Sequence, residues 1–557
     1  MQPGRTHRSG ALLTLSAFLL SLALAGMGYA EAPAGGDAEN PKGAPITTVE
    51  KYTYVPAETL PPVQGVSGYK WDEKSKTVVF PINVWIGWAP IIMANNGTKP
   101  SDDSVFFKKY GFHVSLPIID DPIRARDSFA AGESVILWGT LDMMALFAPE
   151  LIKDSRTAPR IYQQIDWSNG GDGVVARNGI KSVNDLRPKD GKKRVIALAQ
   201  NSPSHYYILN LLYFAGIKPD EVIFKFTGDA FQAANAFVND TQVDVCVSWS
   251  PDIYNISDAA KSGIKDVALV STTQDAKRVI ADVWAARADF AKDHPDIIEG
   301  LVRGILDGMA MVKEDQGKAA ELVDAAYNLP KGDASKMFGD AHSTNYAENA
   351  QFLLNMNNPS NFENTWENIS TIYGEAGYLQ KPVAFNQVMD SRVMEKIAPD
   401  YKESKNEYTD TYSPVKLTVE EMKGKEILTR TVRIQFAPNR ADVDPNYDAN
   451  ADKIVEDIGR LAAQFGDSSI AIIGYADRSR YEEAKGMGAD YLAKHTQIVK
   501  ELSEQRSRGV LLALMKKFPQ FKEVKDRFIT TGQGWDNPLE TDALSRRVEI
   551  KVLTPEK

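Results

Sequence analysis

The sequence predicts an α/β protein that consists of several folding units, the last of which is a compact β-α-β-α-β domain. The chain has 557 residues, and at roughly 100–200 residues per domain this length allows about three to five units. Short apolar runs alternate with helical patterns over much of the chain, which is typical of sheets joined by crossover helices. A polar stretch near residue 402 interrupts the alternation, and the pattern then starts again.

Composition and charge exclude several classes of protein. Hydrophobic residues make up 43% and charged residues 25% of the chain, as in globular proteins. The net charge of −10 argues against nucleic-acid binding, which usually needs a basic surface. The six histidines are dispersed and Cys246 is the single cysteine, so the sequence contains no intramolecular disulfide and none of the common metal or nucleotide motifs. We therefore expect no cofactor, no metal and no catalytic residue.

Residues 1–30 predict a secretory signal peptide. Arg5 and Arg8 precede an apolar run over 11–25, and small residues follow up to Ala30, which is the order of segments in such peptides. The apolar run is shorter than the ~20 residues that a membrane helix needs. A retained N-terminal anchor is the alternative. After cleavage we expect no membrane-spanning segment, and secretion with one cysteine favours a bacterial periplasm.

The elements that follow can be taken in order. Residues 31–76, which begin with a stretch rich in Pro, Gly and Ala, are predicted to be a flexible N-terminal segment. Residues 77–401 are predicted to form an α/β region with parallel sheets, and the part from about 285 is mostly helical. Its clearest elements are strands over 77–82, 194–198 and 243–247 and a helix over 206–215.

Residues 402–422 are polar and are predicted to be a linker. Beyond them, 423–557 predict a separate domain with 23 basic and 21 acidic residues, a net charge of +2, against −14 for 31–422. Its predicted elements are a strand through Val432, Ile434 and Phe436, a helix from Ile454 to Phe465, a strand over 470–475, a long helix near 486–516 and a strand over 548–552.

The C-terminal part carries a set of ordered motifs. They are Gly474-Tyr475-Ala476-Asp477, Leu502-Ser503-Glu504-Gln505-Arg506-Ser507, Gly532-Gln533-Gly534 with Pro538, and Ser545-Arg546-Arg547-Val548-Glu549-Ile550. Over about 430–553 this series resembles the OmpA-like peptidoglycan-binding domain. The resemblance departs from the family pattern at Ala476, Ser507 and Ser545 and in an insertion over 481–500, whose role stays open.

The resemblance implies a peptidoglycan site. Gram-negative peptidoglycan exposes diaminopimelate, whose ammonium and carboxylate groups suit an acid and an arginine. By the family pattern Asp477 binds the ammonium, Arg506 binds the carboxylate and Arg547 supports the pocket. The alternatives are a helix cap for Asp477 and a surface ion pair for Arg506.

Residues from about 77 to 400 carry a second series of motifs. They are Val84-Trp85-Ile86-Gly87-Trp88, Asp166-Trp167-Ser168-Asn169-Gly170-Gly171-Asp172, Ile180-Lys181-Ser182, Ser202-Pro203-Ser204-His205, Val247-Ser248-Trp249-Ser250-Pro251 and Asp282-Val283-Trp284. The series resembles periplasmic solute-binding proteins of the nitrate/sulfonate/taurine type, which feed ABC importers. It implies a two-lobed periplasmic-binding-protein fold (type II-like), in which the solute lies in a cleft between the lobes.

The resemblance also implies which residues line the cleft. The turn from Ser202 to His205 precedes a helix, whose free N–H groups and dipole favour a polar oxygen or an anion, and tryptophan rings can hold a small ligand. Core packing is the alternative for each tryptophan, and capping or packing for His205. The predicted cleft residues are Trp85, Trp88, Thr140, Ser202, Ser204, His205 and Trp249.

Three functions follow from these predictions. The first is a non-enzymatic solute-binding component of an ABC importer, for a small anionic or zwitterionic solute, held to peptidoglycan by the OmpA-like domain. The others are a wall-tethered sensory or structural protein whose cleft engages a partner, and a periplasmic enzyme. The expected partners are a small-molecule solute, peptidoglycan and an ABC permease, without nucleic acid. The expected location is the periplasm of a Gram-negative bacterium, with association to the outer membrane left open.

Overall fold

The computed structural model of the chain describes residues 46–57, 60–63, 65–408, 421–422, 426–437 and 440–553. The predicted signal peptide and the middle of the predicted linker lie outside the described residues. In the ranges given, no helix combines the length and the apolar character that crossing a membrane requires.

The described strands alternate with helices over most of the chain. In order they are β1 Tyr54–Val55, β2 Thr77–Val79, β3 His113–Ser115, β4 Ile136–Thr140, β5 Pro159–Ser168, β6 Asp172–Ala176, β7 Val195–Ala199, β8 Ile223–Thr227, β9 Val245–Trp249, β10 Ala268–Thr272, β11 Ala281–Arg287, β12 Ala341–Ser343, β13 Glu426–Val432, β14 Ser469–Tyr475, β15 Phe528–Gly534 and β16 Val548–Leu553.

The described helices are α1 Ala89–Asn95, α2 Val105–Tyr110, α3 Pro122–Ala130, α4 Leu141–Leu151, α5 Pro203–Ala215, α6 Ala230–Asn239, α7 Asp252–Ser257, α8 Ala259–Ser262, α9 Ala288–Asp293, α10 Pro295–Glu314, α11 Gln316–Tyr327, α12 Tyr346–Leu353, α13 Phe362–Glu375, α14 Arg392–Ile397, α15 Ala451–Gln464, α16 Tyr481–Gly486, α17 Ala489–Lys517 and α18 Asp542–Ser545. Short 3-10 helices lie at Ile86–Trp88, Val183–Leu186, Pro219–Glu221, Ala334–Lys336, Phe338–Asp340, Phe385–Gln387, Ala398–Tyr401, Pro519–Lys522 and Lys525–Arg527.

Two sheets define two lobes in the part of the chain before residue 401. The first lobe contains an antiparallel sheet in the order β12-β5-β11-β4, together with the parallel pair β2-β3. The second lobe contains a mixed sheet in the order β1-β8-β7-β9-β6-β10. The chain passes directly from one sheet to the other at 169–171 and again at 273–280, and we call these two segments the crossings.

The crossings explain why the sheets are mixed rather than parallel. In the second lobe β7 runs parallel to β8 and β9, as the sequence predicts, but β6 runs antiparallel to β9. Parallel neighbours need a long crossover connection, whereas β6 follows β5 of the other lobe after three residues. The prediction of parallel sheets is therefore right only for β2-β3 and the middle of the second sheet.

Helix α5 lies between the sheet of the second lobe and the helices around it. Pro203 begins the helix, and Gly216 ends it in a left-handed conformation, with φ of 67°. This matches the predicted helix over 206–215. Nearly every residue of α5 is buried, so it is a core helix with packing partners on all sides.

The described part of the predicted flexible segment 31–76 is packed against both lobes. Strand β1 pairs with β8 of the second lobe, and the Thr48 N–H donates to Asp252 Oδ1 at 2.9 Å. Ser67 N–H donates to Ala130 O in the first lobe at 3.2 Å. These contacts hold the described residues from 46 to 76 in place.

The C-terminal region, 426–553, is a four-stranded sheet in the order β13-β16-β14-β15, with helix α17 packed on it and helix α15 packed against α17. Strands β14 and β15 are parallel and the other neighbours antiparallel. The predicted helices and the predicted strands over 470–475 and 548–552 are present. The predicted strand through Phe436 instead ends at Val432, and the insertion over 481–500 forms α16 and the first turns of α17.

The C-terminal region packs on the second lobe and on one crossing. Asn184 and Thr429 exchange two hydrogen bonds of 2.7 and 3.2 Å, and Lys277 of the second crossing forms an ion pair with Asp467. The predicted linker also has packed ends, since the Tyr408 ring stacks on His342 and Met422 is buried beside β14.

Candidate functional site

A row of polar side chains crosses the first-lobe sheet next to the crossings. Asp166 on β5 is the register partner of Asp282 on β11, and Asp282 is the register partner of Thr140 at the end of β4. Directly opposite residues on neighbouring strands project from the same face of a sheet. All three side chains are buried, Asp166 completely and Thr140 with 1% of its surface exposed. Two carboxyl groups therefore face each other across the strands and are hydrogen-bonded to each other, beside a buried hydroxyl.

Three further carboxyl groups join this row from other elements. Asp142 lies in the first turn of α4, Asp172 begins β6 of the second lobe, and Asp340 ends a 3-10 helix. The Ser168 hydroxyl donates to Asp172 Oδ2 at 2.7 Å, the Tyr373 hydroxyl donates to Asp142 Oδ2 at 3.4 Å, and Tyr254 donates to Asp340. We refer to Asp142, Asp166, Asp172, Asp282 and Asp340 as the acidic cluster.

Burial changes the protonation of the acidic cluster. It raises the pKa of Asp142, Asp166 and Asp172 to about 7 and the pKa of Asp340 to about 6. The pKa of Asp282 is raised well above its usual range, first by burial and then by the charge of Asp166. Among the described residues no lysine or arginine lowers the pKa of any of the five. Within the described part of the chain, these carboxyl groups lack the basic partners that normally accompany buried acids.

Several polar atoms at this place have no hydrogen-bond partner among the described residues. In most proteins nearly every buried polar atom has such a partner. The Thr140 hydroxyl lies near the Asp142 carboxyl group, and it partly offsets the increase in the pKa of Asp142 that burial causes. The unpartnered atoms at the cluster are Thr140 Oγ1, Asp142 Oδ1, Asp166 Oδ1, Asp172 Oδ1, Ser250 Oγ and Asp340 Oδ2.

Two glycines allow the Trp85 ring to lie against the acidic cluster. The Trp85 indole N–H donates to Asp166 Oδ2 at 3.2 Å. A Cβ at Gly87 would overlap Asp166 Oδ2, and a Cβ at Gly171 would overlap the Trp85 ring and approach Asp340 Cβ at 2.9 Å. Any larger residue at these two positions would have to displace the indole or the carboxyl groups.

The other tryptophans predicted for the cleft have different surroundings. The Trp249 indole N–H donates to Val84 O at 3.2 Å, so this ring joins the second lobe to the segment that carries Trp85. Trp88 donates to Asn83 Oδ1 at 2.7 Å and packs edge-on against Phe80 in the first-lobe core. Trp88 thus has the core-packing environment that the sequence analysis gave as the alternative to a place in the cleft.

The Ser202–His205 turn is buried at the start of α5. The Ser202 hydroxyl donates to Ala199 O at 2.8 Å, while Ser204 Oγ has no partner among the described residues. The His205 ring packs on Phe226 and Tyr378 at centroid distances of 5.3 and 4.5 Å. Burial lowers the pKa of His205 to about 3, so this imidazole is neutral and packed among aromatic rings.

The C-terminal region places Asp477 and Arg506 near each other without an ion pair between them. The charge of Asp477 opposes the lowering of the Arg506 pKa by burial. The Arg506 guanidinium lies over the Phe436 ring, with 5.1 Å between guanidinium carbon and ring centroid. Partial burial raises the pKa of Asp477, but hydrogen bonds from Ser479 and the charge of Arg546 outweigh burial and lower it. The strand end and the helix thus present one acid and one arginine on the same side.

The two neighbouring arginines that precede β16 have different environments. Arg547 is 5% exposed, forms a 2.8 Å ion pair with Glu549 and stacks on the Tyr475 ring at 3.8 Å. Arg546 has a more exposed side chain, and its Nε lies 3.6 Å from Asp477 Oδ2. Arg547 therefore supports the sheet, and Arg546 adds a second cation beside Asp477.

The sequence reasoning missed the acidic cluster and Arg546. Asp166, Asp172 and Asp282 lie inside the motif segments, but nothing in their spacing indicates that they meet. Arg546 was visible as the first residue of a double arginine. Within the described ranges, no group of three or more His, Cys, Asp and Glu side chains has an arrangement that could hold a metal ion.

Residues 159–319 match the family model described as NMT1/THI5 like. This range contains both crossings, strands β5 to β11 and helix α5. A comparison with curated proteins returns no match.

Several solved structures are similar to the chain over 56–60% of its length. The periplasmic aliphatic sulphonate-binding protein SsuA from Escherichia coli is 15% identical, with 96% of that chain covered and a TM-score of 0.43. The periplasmic nitrate-binding protein NrtA from Synechocystis PCC 6803 is 14% identical, with 91% covered and a TM-score of 0.45. The desulfurization enzyme DSZB is 14% identical, with 99% covered and a TM-score of 0.40. Since these likenesses are distant, the two-lobed description rests on the sheets and crossings given above.

Proposed function

We propose that this chain is a periplasmic solute-binding protein of an importer, that the solute binds between the two lobes, and that it is not an enzyme. The observation that carries the proposal is the set of buried, unpartnered polar atoms beside the crossings. A protein that closes two lobes around a small ligand needs polar groups of this kind, which the ligand then satisfies. The NMT1/THI5-like match over both crossings supports the same function.

A thermal-unfolding screen with a turnover assay tests this function. The purified protein, tested against nitrate, sulfonates, taurine, amines and nitrogen heterocycles, should be stabilised by one class, and the solute should remain unchanged. A solute at 100 times its Kd adds about 2.7 kcal/mol to the free energy of unfolding. Consumption of the solute would make the protein an enzyme. If no class of solute stabilises it, the transport function fails and a sensory or structural role takes its place.

We also propose that the C-terminal region binds peptidoglycan through Asp477 and Arg506. Asp477 and Arg506 lie near each other without pairing with each other, although Asp477 also has Arg546 beside it. This supports the role, because the ammonium and carboxylate of diaminopimelate are the complements of the two charges. Arg546 beside Asp477 would favour the same carboxylate. The proposal locates the protein at the cell wall in the periplasm, where it would supply solute to an ABC permease.

Co-sedimentation with isolated sacculi tests the wall-binding role. Asp477→Ala and Arg506→Ala should each abolish pelleting, because truncating one partner of a charge pair typically costs ~2–5 kcal/mol. Arg508→Ala is the matched control, since Arg508 lies on the same helix and has its own ion pair with Glu504. Pelleting of both single variants at the level of the control would remove the wall-binding role and leave the solute site unaffected.

A further inference from the structure

We propose that the solute is a small organic cation with N–H groups, such as a primary ammonium, guanidinium or amidinium, and that the acidic cluster receives its charge. The inference rests on the proposed solute-binding function and specifies its ligand. The sequence analysis expected an anionic or zwitterionic solute. The present inference differs because it requires a positive group on the solute at the acidic cluster. A zwitterion remains compatible when its cationic end faces the cluster.

The first argument is charge. Asp166 and Asp282 are direct register partners, and like charges in this position destabilise a sheet. The charges of Asp172 and Asp142 add to the repulsion at Asp282. Since none of the described lysines and arginines compensates them, the cluster can become ionised at low cost only when a ligand supplies the positive charge. A nitrate or sulfonate group would add a further negative charge to this place.

The second argument is hydrogen bonding. The unpartnered atoms Asp142 Oδ1, Asp166 Oδ1, Asp172 Oδ1 and Asp340 Oδ2 are acceptors when these carboxyl groups are ionised. The Thr140 hydroxyl adds a further unpartnered oxygen on the same face of the sheet, because Thr140 is the register partner of the cluster aspartate on β11 and is only 1% exposed. A ligand that satisfies them must bring donors. An ammonium has three N–H donors and a guanidinium five, whereas a quaternary ammonium, a nitrate and a sulfonate have none.

The third argument is the placement of the carboxyl groups on both lobes. Asp166 and Asp282 belong to strands of the first lobe, and Asp172 begins β6 of the second. A cation between them would attract both lobes at once. Because the described acids are not arranged as a metal site, an extended organic cation fits the cluster better than a metal ion.

The pH dependence of binding follows from the groups that face the cluster. Besides the five carboxyl groups, the titratable neighbours are five tyrosines, and burial raises the pKa of each. They are Tyr206 and Tyr373 near Asp142, Tyr207 near Asp172, Tyr254 near Asp340 and Tyr327 near Asp166. These phenols stay protonated between pH 5 and 8. A cation that binds the ionised cluster releases protons from the carboxyl groups, so its affinity rises with pH in this interval.

Calorimetry with the full-length protein tests the inference. The probes are methylguanidine, agmatine and ethylamine, compared with tetramethylammonium, ethanesulfonate, nitrate and Ca²⁺. We expect heat of binding with at least one N–H cation, an affinity that rises at least threefold from pH 6 to pH 8, and no binding of tetramethylammonium or the anions. Binding of ethanesulfonate or nitrate without a cation would overturn the inference while the solute-binding function stands, and binding of Ca²⁺ alone would overturn the organic ligand. If no probe and no other solute binds, the proposed function itself fails.

Isosteric variants make the test independent of folding. Asp166→Asn and Asp282→Asn should each lower the affinity for the cation at least tenfold at pH 8. Asp296→Asn, which removes a charge from an exposed position in the first turn of α10, should leave the affinity unchanged. The same two variants should raise the ligand-free melting temperature at pH 8, because each removes a buried charge. Variants that bind normally, or that are less stable than the parent at pH 8, would contradict the assignment.

Discussion

The side-chain amide of Asn210 donates to Gln464 Oε1 at 3.1 Å, and both residues are buried. This bond joins helix α5 of the second lobe to helix α15 of the C-terminal region. The Tyr213 hydroxyl on α5 also donates to Asp457 Oδ1 at 3.2 Å, and Arg430 binds both Tyr213 O and Asp457. The helix that begins at the Ser202 turn is thus hydrogen-bonded near its other end to the region that we propose binds the wall.

A double-mutant cycle should detect this connection. Asn210→Leu and Gln464→Leu should each lower the free energy of unfolding by about 1–3 kcal/mol, because each leaves a buried polar partner without its bond. The double variant should lose less than the sum of the two. Gln497→Leu, on the exposed side of α17, is the control for an added leucine. Additive losses in urea unfolding would show that the two residues do not interact.

Cleavage at the predicted linker should leave the two parts of the protein associated. The sequence predicts separate domains on either side of 402–422, and the contacts across that boundary include the buried Asn210–Gln464 bond and the Lys277–Asp467 ion pair. A protease site inserted between 409 and 420 should therefore give two fragments that elute together in size-exclusion chromatography at micromolar concentration. Separate elution of two folded fragments would show that the interface is too weak to hold them.

The close approach of Trp85 to the cluster can be tested at a glycine. Gly171→Ala should cost about 1–3 kcal/mol of stability, because the new Cβ would overlap the Trp85 ring. It should also weaken solute binding, since the indole is hydrogen-bonded to Asp166. Gly339→Ala is the matched control, because a Cβ at Gly339 has open space within 4 Å. Equal melting temperatures for the two variants would contradict this packing.

The ligand-free protein should be less stable at pH 8 than at pH 5.5. The pKa of Asp142, Asp166 and Asp172 is about 7 in the folded protein and about 4 in an unfolded chain. Between these values the folded state binds more protons, so the free energy of unfolding falls as the pH rises from about 4 to 7. Urea unfolding across this interval measures the slope, and Asp166→Asn should reduce it. A slope of zero or of opposite sign would be inconsistent with a buried acidic cluster.

Substitution of Arg546 should affect peptidoglycan binding, whereas substitution of Arg547 should affect stability. Arg547→Ala leaves Glu549 without its partner and removes the stack on Tyr475, so it should cost roughly 3–5 kcal/mol of stability. Arg546→Ala removes an exposed side chain and should leave the melting temperature nearly unchanged while it weakens sedimentation with sacculi. The reverse result, an unstable Arg546 variant and a stable Arg547 variant, would contradict the roles assigned to them.

Local sequence patterns predicted many of the helices and strands. The apolar run ending at Gly216 predicted α5, and the periodicity from Ile454 to Phe465 predicted the buried face of α15. Strand direction was not predictable, because an apolar run has the same pattern in a parallel and in an antiparallel sheet. Strand β6 is antiparallel because the chain passes directly from one lobe to the other before it. The periodicity of the sequence contains no signal for this passage.

The candidate site was less predictable than the fold. The solute contacts expected of Trp85 and Trp88 stay predictions, but the two rings have different surroundings. Trp85 contacts Asp166, whereas Trp88 packs against Phe80 in the first-lobe core. The acidic cluster brings together residues up to 198 positions apart, from Asp142 to Asp340. The register of β5 and β11 pairs Asp166 with Asp282, and the other members come from α4, β6 and a 3-10 helix. Both the register and the packing of these elements depend on the whole lobe rather than on any local motif.

The C-terminal region holds the segment about which the lobes would have to turn. Arg278 N–H on the second crossing donates to Gln464 O at 3.4 Å, and Ser468 Oγ donates to Asp275 O at 3.5 Å, next to the Lys277–Asp467 ion pair. If the lobes open for the proposed solute, the second crossing has to bend while these contacts hold it, which should slow exchange. A solute should consequently dissociate slowly from the full-length protein. Removing these contacts should shorten its residence time more than it changes the equilibrium affinity.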